Sequence, residues 1–120
     1  MEFTRYFTPK EATSALPLVR QIVEDILETA RGMHDLDESE EELRADLQSE
    51  LEQHLAELED IGCYYKDWNF SVGLVDFPAI VEGEIVFLCW RSDEPELAWY
   101  HPIEEGYRGR RPLSVVPRAT

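Results

Sequence analysis

The sequence predicts an α+β domain: a long antiparallel helical hairpin packed at one end on a small three- or four-stranded antiparallel β-meander. Three observations carry this. Apolar residues recur at three- and four-residue intervals from Ala12 to Met33, and a narrow leucine line runs from Leu43 to Leu58; both are spacings of buried helix faces. After Gly62 the composition turns to β-branched and aromatic residues broken by turn signals, the mark of short strands. The length of 120 residues suits a single domain over 1–120 with one core.

The hairpin occupies 8–61. In "FTPKEA", Thr8 is placed as N-cap, Pro9 at the first helical position and Glu11 three residues after the cap, a capping box. The first stripe is Ala12, Ala15, Leu16, Val19, Ile22, Val23, Ile26, Leu27, Ala30 and Met33. Pro17 interrupts it, and its missing N–H predicts a kink or a split helix. Gly32 and "HDLD" end the run. Ser39 and Glu42 give a second capping box, and Leu43, Leu47, Leu51, Leu55, Leu58 and Ile61 lead to Gly62 as C-cap.

The meander occupies 62–105. "CYYK" reads as a short strand, "LVDFPAIV" and "EIVFLCWR" as a hairpin across Glu82-Gly83, and "ELAWYH" as a further strand after "SDEP". Pro78 lacks a ladder donor, which places its strand at an edge or a bulge. Residues 106–120 read as a basic irregular tail, with Arg108, Arg110, Arg111 and Arg118 and no acid.

The net charge is −15, and residues 34–60 hold twelve acids against Arg44 alone. Such a surface repels phosphate backbones, so nucleic-acid binding by the body of the protein is excluded as an expectation. No apolar run approaches the roughly 20 residues of a membrane span, and no membrane partner is expected. Cys63 and Cys89 are too few for a disulfide framework and read as reduced thiols of a cytoplasmic protein. His34 and His54 read as surface residues without metal-ligand spacing.

Candidate chemistry gathers on the strands. A two-residue loop at Glu82-Gly83 sets Asp76 opposite Cys89, whereas a bulged turn shifts it opposite Leu88. Leu97, Trp99 and His101 are read on the face of Leu88 and Trp90, so the bulged register alone brings Asp76 and His101 together. The candidate polar site is Asp76, Glu96, His101, Glu104 and Arg110. Carboxylate plus imidazole serves either a metal or a proton transfer, and Asp76 with His101 is the pair that could ligate. The structural alternative pairs Asp76 with Arg91, Arg110 or Arg111. Phe77, Cys89, Trp90 and Trp99 are assigned to the core, with Trp68 and Phe87.

The blocks "FTPKEATSALPLVR", "GLVDFPA", "LCWR" and "WYHPIEEGYRGRRPL", with the leucine- and glutamate-rich helix between them, resemble an uncharacterised prokaryotic family, the domain of unknown function numbered 2203. The resemblance covers nearly the whole chain. It implies a compact cytoplasmic domain and brings no activity, cofactor or site residue with it.

The function expected from these features is a non-catalytic, cytoplasmic interaction or scaffold module without cofactor. The alternative is a small metal-dependent or acid–base enzyme centred on Asp76 and His101. Strands of five or six residues are shorter than the helices, so a homodimer is expected through Val23, Ile26, Leu27, Leu43, Leu47 and Leu51.

Overall fold

The computed structural model describes residues 3–113. Helix α1 (Pro9–His34) and helix α2 (Glu41–Ile61) form the hairpin. Strands β1 (Tyr64–Tyr65), β2 (Leu74–Val81), β3 (Glu84–Arg91), β4 (Trp99–Pro102) and β5 (Arg111–Pro112) follow. They form one antiparallel sheet in sequential order. The fifth strand and a 3-10 turn (Tyr107–Gly109) come from the stretch read as an irregular tail. The tail beyond 113, with Arg118, lies outside the described residues.

The first capping box forms as expected: Glu11 N–H donates to Thr8 Oγ1 at 3.1 Å and Thr8 N–H to Glu11 Oε1 at 2.9 Å. Thr8→Ala should cost about 1 kcal/mol of stability in urea unfolding. Pro17 does not divide α1. It lies on the exposed side, where the helix forgoes only the bond to the carbonyl four residues back. The helix also runs past Gly32 to His34.

The second capping box does not form. Asp37 takes both the N–H and the hydroxyl of Ser39 in an Asx-type turn, and α2 starts after Glu40 without a side-chain cap. Arg44 instead donates to the carbonyls of Met33 and Asp37, tying α2 to the end of α1. Gly62 closes α2 at φ 107°, the left-handed conformation that only glycine adopts at little cost.

One face of the sheet carries Val75, Phe77, Ala79, Val86, Leu88 and Trp90, and these join Leu16, Val19, Ile22, Val23, Ile26 and Leu58 in one core. Each fully buried aliphatic side chain in it contributes roughly 1.5–3 kcal/mol. Val23, Ile26 and Leu51, expected at a subunit interface, are buried within the chain itself. Leu27 packs partly on the same core, Leu47 is half-buried, and Leu43 remains exposed. This burial within the chain has two causes. β2 and β3 are eight residues long, and the loop after β1 brings Phe70 beside Met33 and Leu51. Trp68, read as core, is 62% exposed on that loop.

Pro78 sits in β2 beyond the end of β1. There its carbonyl accepts from Phe7 N–H at 2.7 Å, so its own missing N–H faces an edge and costs no ladder bond. Gly73 lies where a methyl group would stand 2.2 Å from Val23 Cγ1. Val23 is fully buried and stiff at χ1. Gly73→Ala should therefore destabilise by about 1–3 kcal/mol, read as a lowered urea midpoint.

Candidate functional site

The hairpin takes the two-residue loop: Val81 pairs with Glu84 and Asp76 with Cys89. On the next interface Cys89 pairs with Trp99 and Phe87 with His101. The reading that set Trp99 and His101 on the face of Leu88 and Trp90 is therefore corrected by one residue. Asp76, Phe87, Cys89, Trp99 and His101 share the face away from the helices. The slip has a local cause. Leu97 is buried in the helix-side core but lies outside β4, so its alternation does not carry across Ala98 into the strand.

The result is a cluster drawn from the three longest strands. Asp76 is 5% and His101 2% exposed, and Cys89 is buried. Imidazole Nε2 lies 3.2 Å from both Asp76 oxygens, and the Asp76, Cys89 and His101 donor atoms lie within 4.8 Å of one another. His101 Nδ1 lies 2.8 Å from the Pro102 carbonyl. A carbonyl oxygen only accepts, so Nδ1 carries its hydrogen and Nε2 is the nitrogen turned to the cluster.

Above the cluster is a crevice of about 260 Å³, walled by Lys66, Leu74, Phe87, Ile103, Gly106 and Tyr107. Its cover is the stretch after β4, which Arg110 fastens down. Arg110 Nη2 donates to the Cys89 carbonyl at 3.2 Å and to Glu94 Oε1 at 2.5 Å. Its guanidinium also stacks 5.0 Å from the Trp99 ring centre. Gly106 makes the turn possible at φ 65°.

The expected polar site is thus partly dispersed. Glu96 and Glu104 are exposed, and Arg110 pairs with Glu94. Arg91 and Arg111 pair with Asp93 and Glu105, so Asp76 takes none of the three arginines proposed for it. Its partner is His101. Cys89, assigned to the core, is the third member of the cluster, and Trp99 is only half-buried. The Asp76–Cys89 pairing was already implied by the two-residue loop. Lys66 and Tyr107 had no local signal, since their placement depends on tertiary folding.

Burial pushes the Cys89 thiol up to about 12, with the Asp76 charge adding to it, so it is a neutral thiol at ordinary pH. For His101, burial alone lowers the pKa, but the hydrogen bonds to Asp76 and to the Pro102 carbonyl, with the carboxylate charge, outweigh it and raise the value. A folded pKa above the unfolded one gives stability that is complete below the unfolded value of about 6.5 and is lost as pH rises through the folded value. In buffer containing a chelator, the stability gap between wild type and His101→Gln should therefore be larger at about pH 6 than at about pH 9. An equal gap at both would mean that the folded imidazole is not charged.

Among the described residues, no helix is long and apolar enough to cross a membrane. The family model described as "Uncharacterized conserved protein (DUF2203)" matches residues 5–113. Neither a curated protein nor a solved structure matches the chain.

Proposed function

The chain belongs to the uncharacterized DUF2203 family, and we propose that it is a small enzyme whose work is done at the crevice over Asp76, Cys89 and His101, on a small polar substrate. One observation carries the reading: a carboxylate, a thiol and an imidazole, all buried, converge from three neighbouring strands beneath an opening of about 260 Å³. Stability does not account for them. A buried charged pair is worth no more to folding than well-packed apolar residues of similar volume, and the surrounding sheet is built of such residues. A hydrophobic triplet there would seal the second face equally well.

The crevice also has the parts that small-molecule sites use: apolar walls from Leu74, Phe87 and Ile103, and a few convergent polar groups. Lys66, exposed at its wall, favours a substrate bearing negative charge. The test is a fragment screen followed by amide NMR. Hits are expected to shift Leu74, Gly106 and Tyr107 and to be lost in His101→Gln. Binding confined to other surfaces would sink the proposal.

A second reading, self-association through the hairpin, keeps one supporting observation. Leu43 is 49% exposed near the start of α2, with half-buried Leu27 and Leu47 the other expected interface residues not fully covered. Sedimentation at micromolar concentration tests it: a dimer that dissociates on Leu43→Glu supports the reading, and a monomer at all concentrations removes it.

A further inference from the structure

We propose that Asp76, Cys89 and His101 are the three protein ligands of a mononuclear divalent transition-metal site of the zinc class, with its fourth position open to the crevice. The inference rests on the crevice being the working site and names the cofactor it holds.

The argument begins with the imidazole. Nδ1–H is committed to the Pro102 carbonyl at 2.8 Å, the outer-shell bond that orients metal-binding histidines. Nε2 then faces the carboxylate, and something positive must lie between them, either a second ring proton or a metal ion. Without an ion it is the proton, in a long bond shared between the two oxygens. A charge-assisted N–H···O bond runs at about 2.7–2.9 Å toward one oxygen, whereas Nε2 stands 3.2 Å from both. Two donors bound at about 2.0–2.1 Å to a tetrahedral ion stand about 3.3 Å apart. The pair is therefore already spaced widely enough to admit an ion between one oxygen and Nε2.

Cys89 supplies the third corner. Its sulfur lies within 4.8 Å of the other two donor atoms, so reaching an ion at about 2.3 Å asks the side chains to close by up to about 1 Å. Among the described residues, no other group of three His, Cys, Asp or Glu donors converges in this way. One nitrogen, one sulfur and one carboxylate oxygen do not suit magnesium or calcium, which take oxygen ligands. Three protein ligands with an open fourth position are the composition of a reactive zinc site, structural sites being closed by four. On binding, the Cys89 proton leaves to solvent and the thiolate becomes the ligand.

Untagged protein purified without chelator should carry about one zinc-class ion per chain. The apo chain titrated with Co²⁺ should develop the visible bands of a tetrahedral ion together with a sulfur-to-cobalt charge-transfer band. Cys89→Ser should abolish that band, and Asp76→Asn and His101→Gln should weaken Co²⁺ binding by at least about 10-fold, the least that even outer-shell losses cost. The wild-type spectrum needs no variant, so a misfolded mutant leaves the test intact. The proposal is overturned if the apo chain develops no sulfur-to-cobalt band, or if Co²⁺ binding is indifferent to Cys89→Ser and His101→Gln and so belongs to the acidic surface. Fragments binding the crevice of a chain that takes no metal would leave the crevice reading standing. A cobalt–thiolate site in a chain whose crevice binds nothing would leave a metal without that function.

Discussion

Asp76→Ala is expected to destabilise the protein by about 3–5 kcal/mol, as removal of one partner of a buried charged pair does elsewhere. Asp76 lies under the cover formed by the stretch after β4, and among the described residues its only charged hydrogen-bond partner is His101. Without the carboxylate, the imidazole keeps its bond to Pro102 but leaves Nε2 buried without its partner, and an unsatisfied buried polar group is costly. A domain of ordinary stability holds about 5–15 kcal/mol, so the variant should unfold at much lower urea. Asp76→Asn keeps an acceptor oxygen and should lose less than half as much. A midpoint shift for the alanine variant below about 1 kcal/mol would show that water reaches His101 and that the pair has no structural weight.

The second large effect is expected at Trp90, in β3 on the opposite face of the sheet. Trp90→Ala should cost about 3–5 kcal/mol, the range for an aromatic removed from a core. The ring is fully buried, its Nε1–H donates to the Glu94 carbonyl at 3.0 Å, and the Arg20 guanidinium stands 5.0 Å from it. Its loss therefore opens a cavity between the sheet and α1 and also frees the turn that leads to β4. Because that turn carries Glu94, the anchor of Arg110, the crevice cover should loosen with it. Trp90→Phe refills most of the volume and should recover most of the stability. Thermal unfolding separates the two, and a loss below about 1 kcal/mol for the alanine variant would mean that the core collapses around the gap without cost.

Much of this architecture is written locally. Thr8 and Glu11 satisfy each other's backbone within one turn, Gly62 supplies the left-handed cap, and Gly83 takes positive φ at the hairpin turn without strain, with Glu82 at φ 52° beside it. Such features involve residues a few positions apart, where covalent geometry leaves few choices. The second helix start was less legible, since Asp37 and Ser39 offered two local hydrogen-bonding schemes and composition does not rank them. The burial of Val23, Ile26 and Leu51 within the chain was not legible for a related reason: helix length is readable from spacing, but what covers a helix is not.

The candidate site divides along the same line. The sequence by itself determined the order of elements, the helix stripes and the acidic outer face of the hairpin, and it narrowed Asp76 to a place opposite Cys89 or Leu88; the fold took the first. The approach of His101 to that pair was decided only by the tertiary structure. The chain between β3 and β4 is irregular, and Leu97 is drawn into the core before the strand begins. Alternation cannot be counted through a segment that is not extended, so the register of β4 is set by the energy of packing Leu97, Trp90 and Tyr100 against the helices. One residue of register separates a histidine in the core from a histidine beside Asp76 and Cys89, and only the packed protein chooses between them.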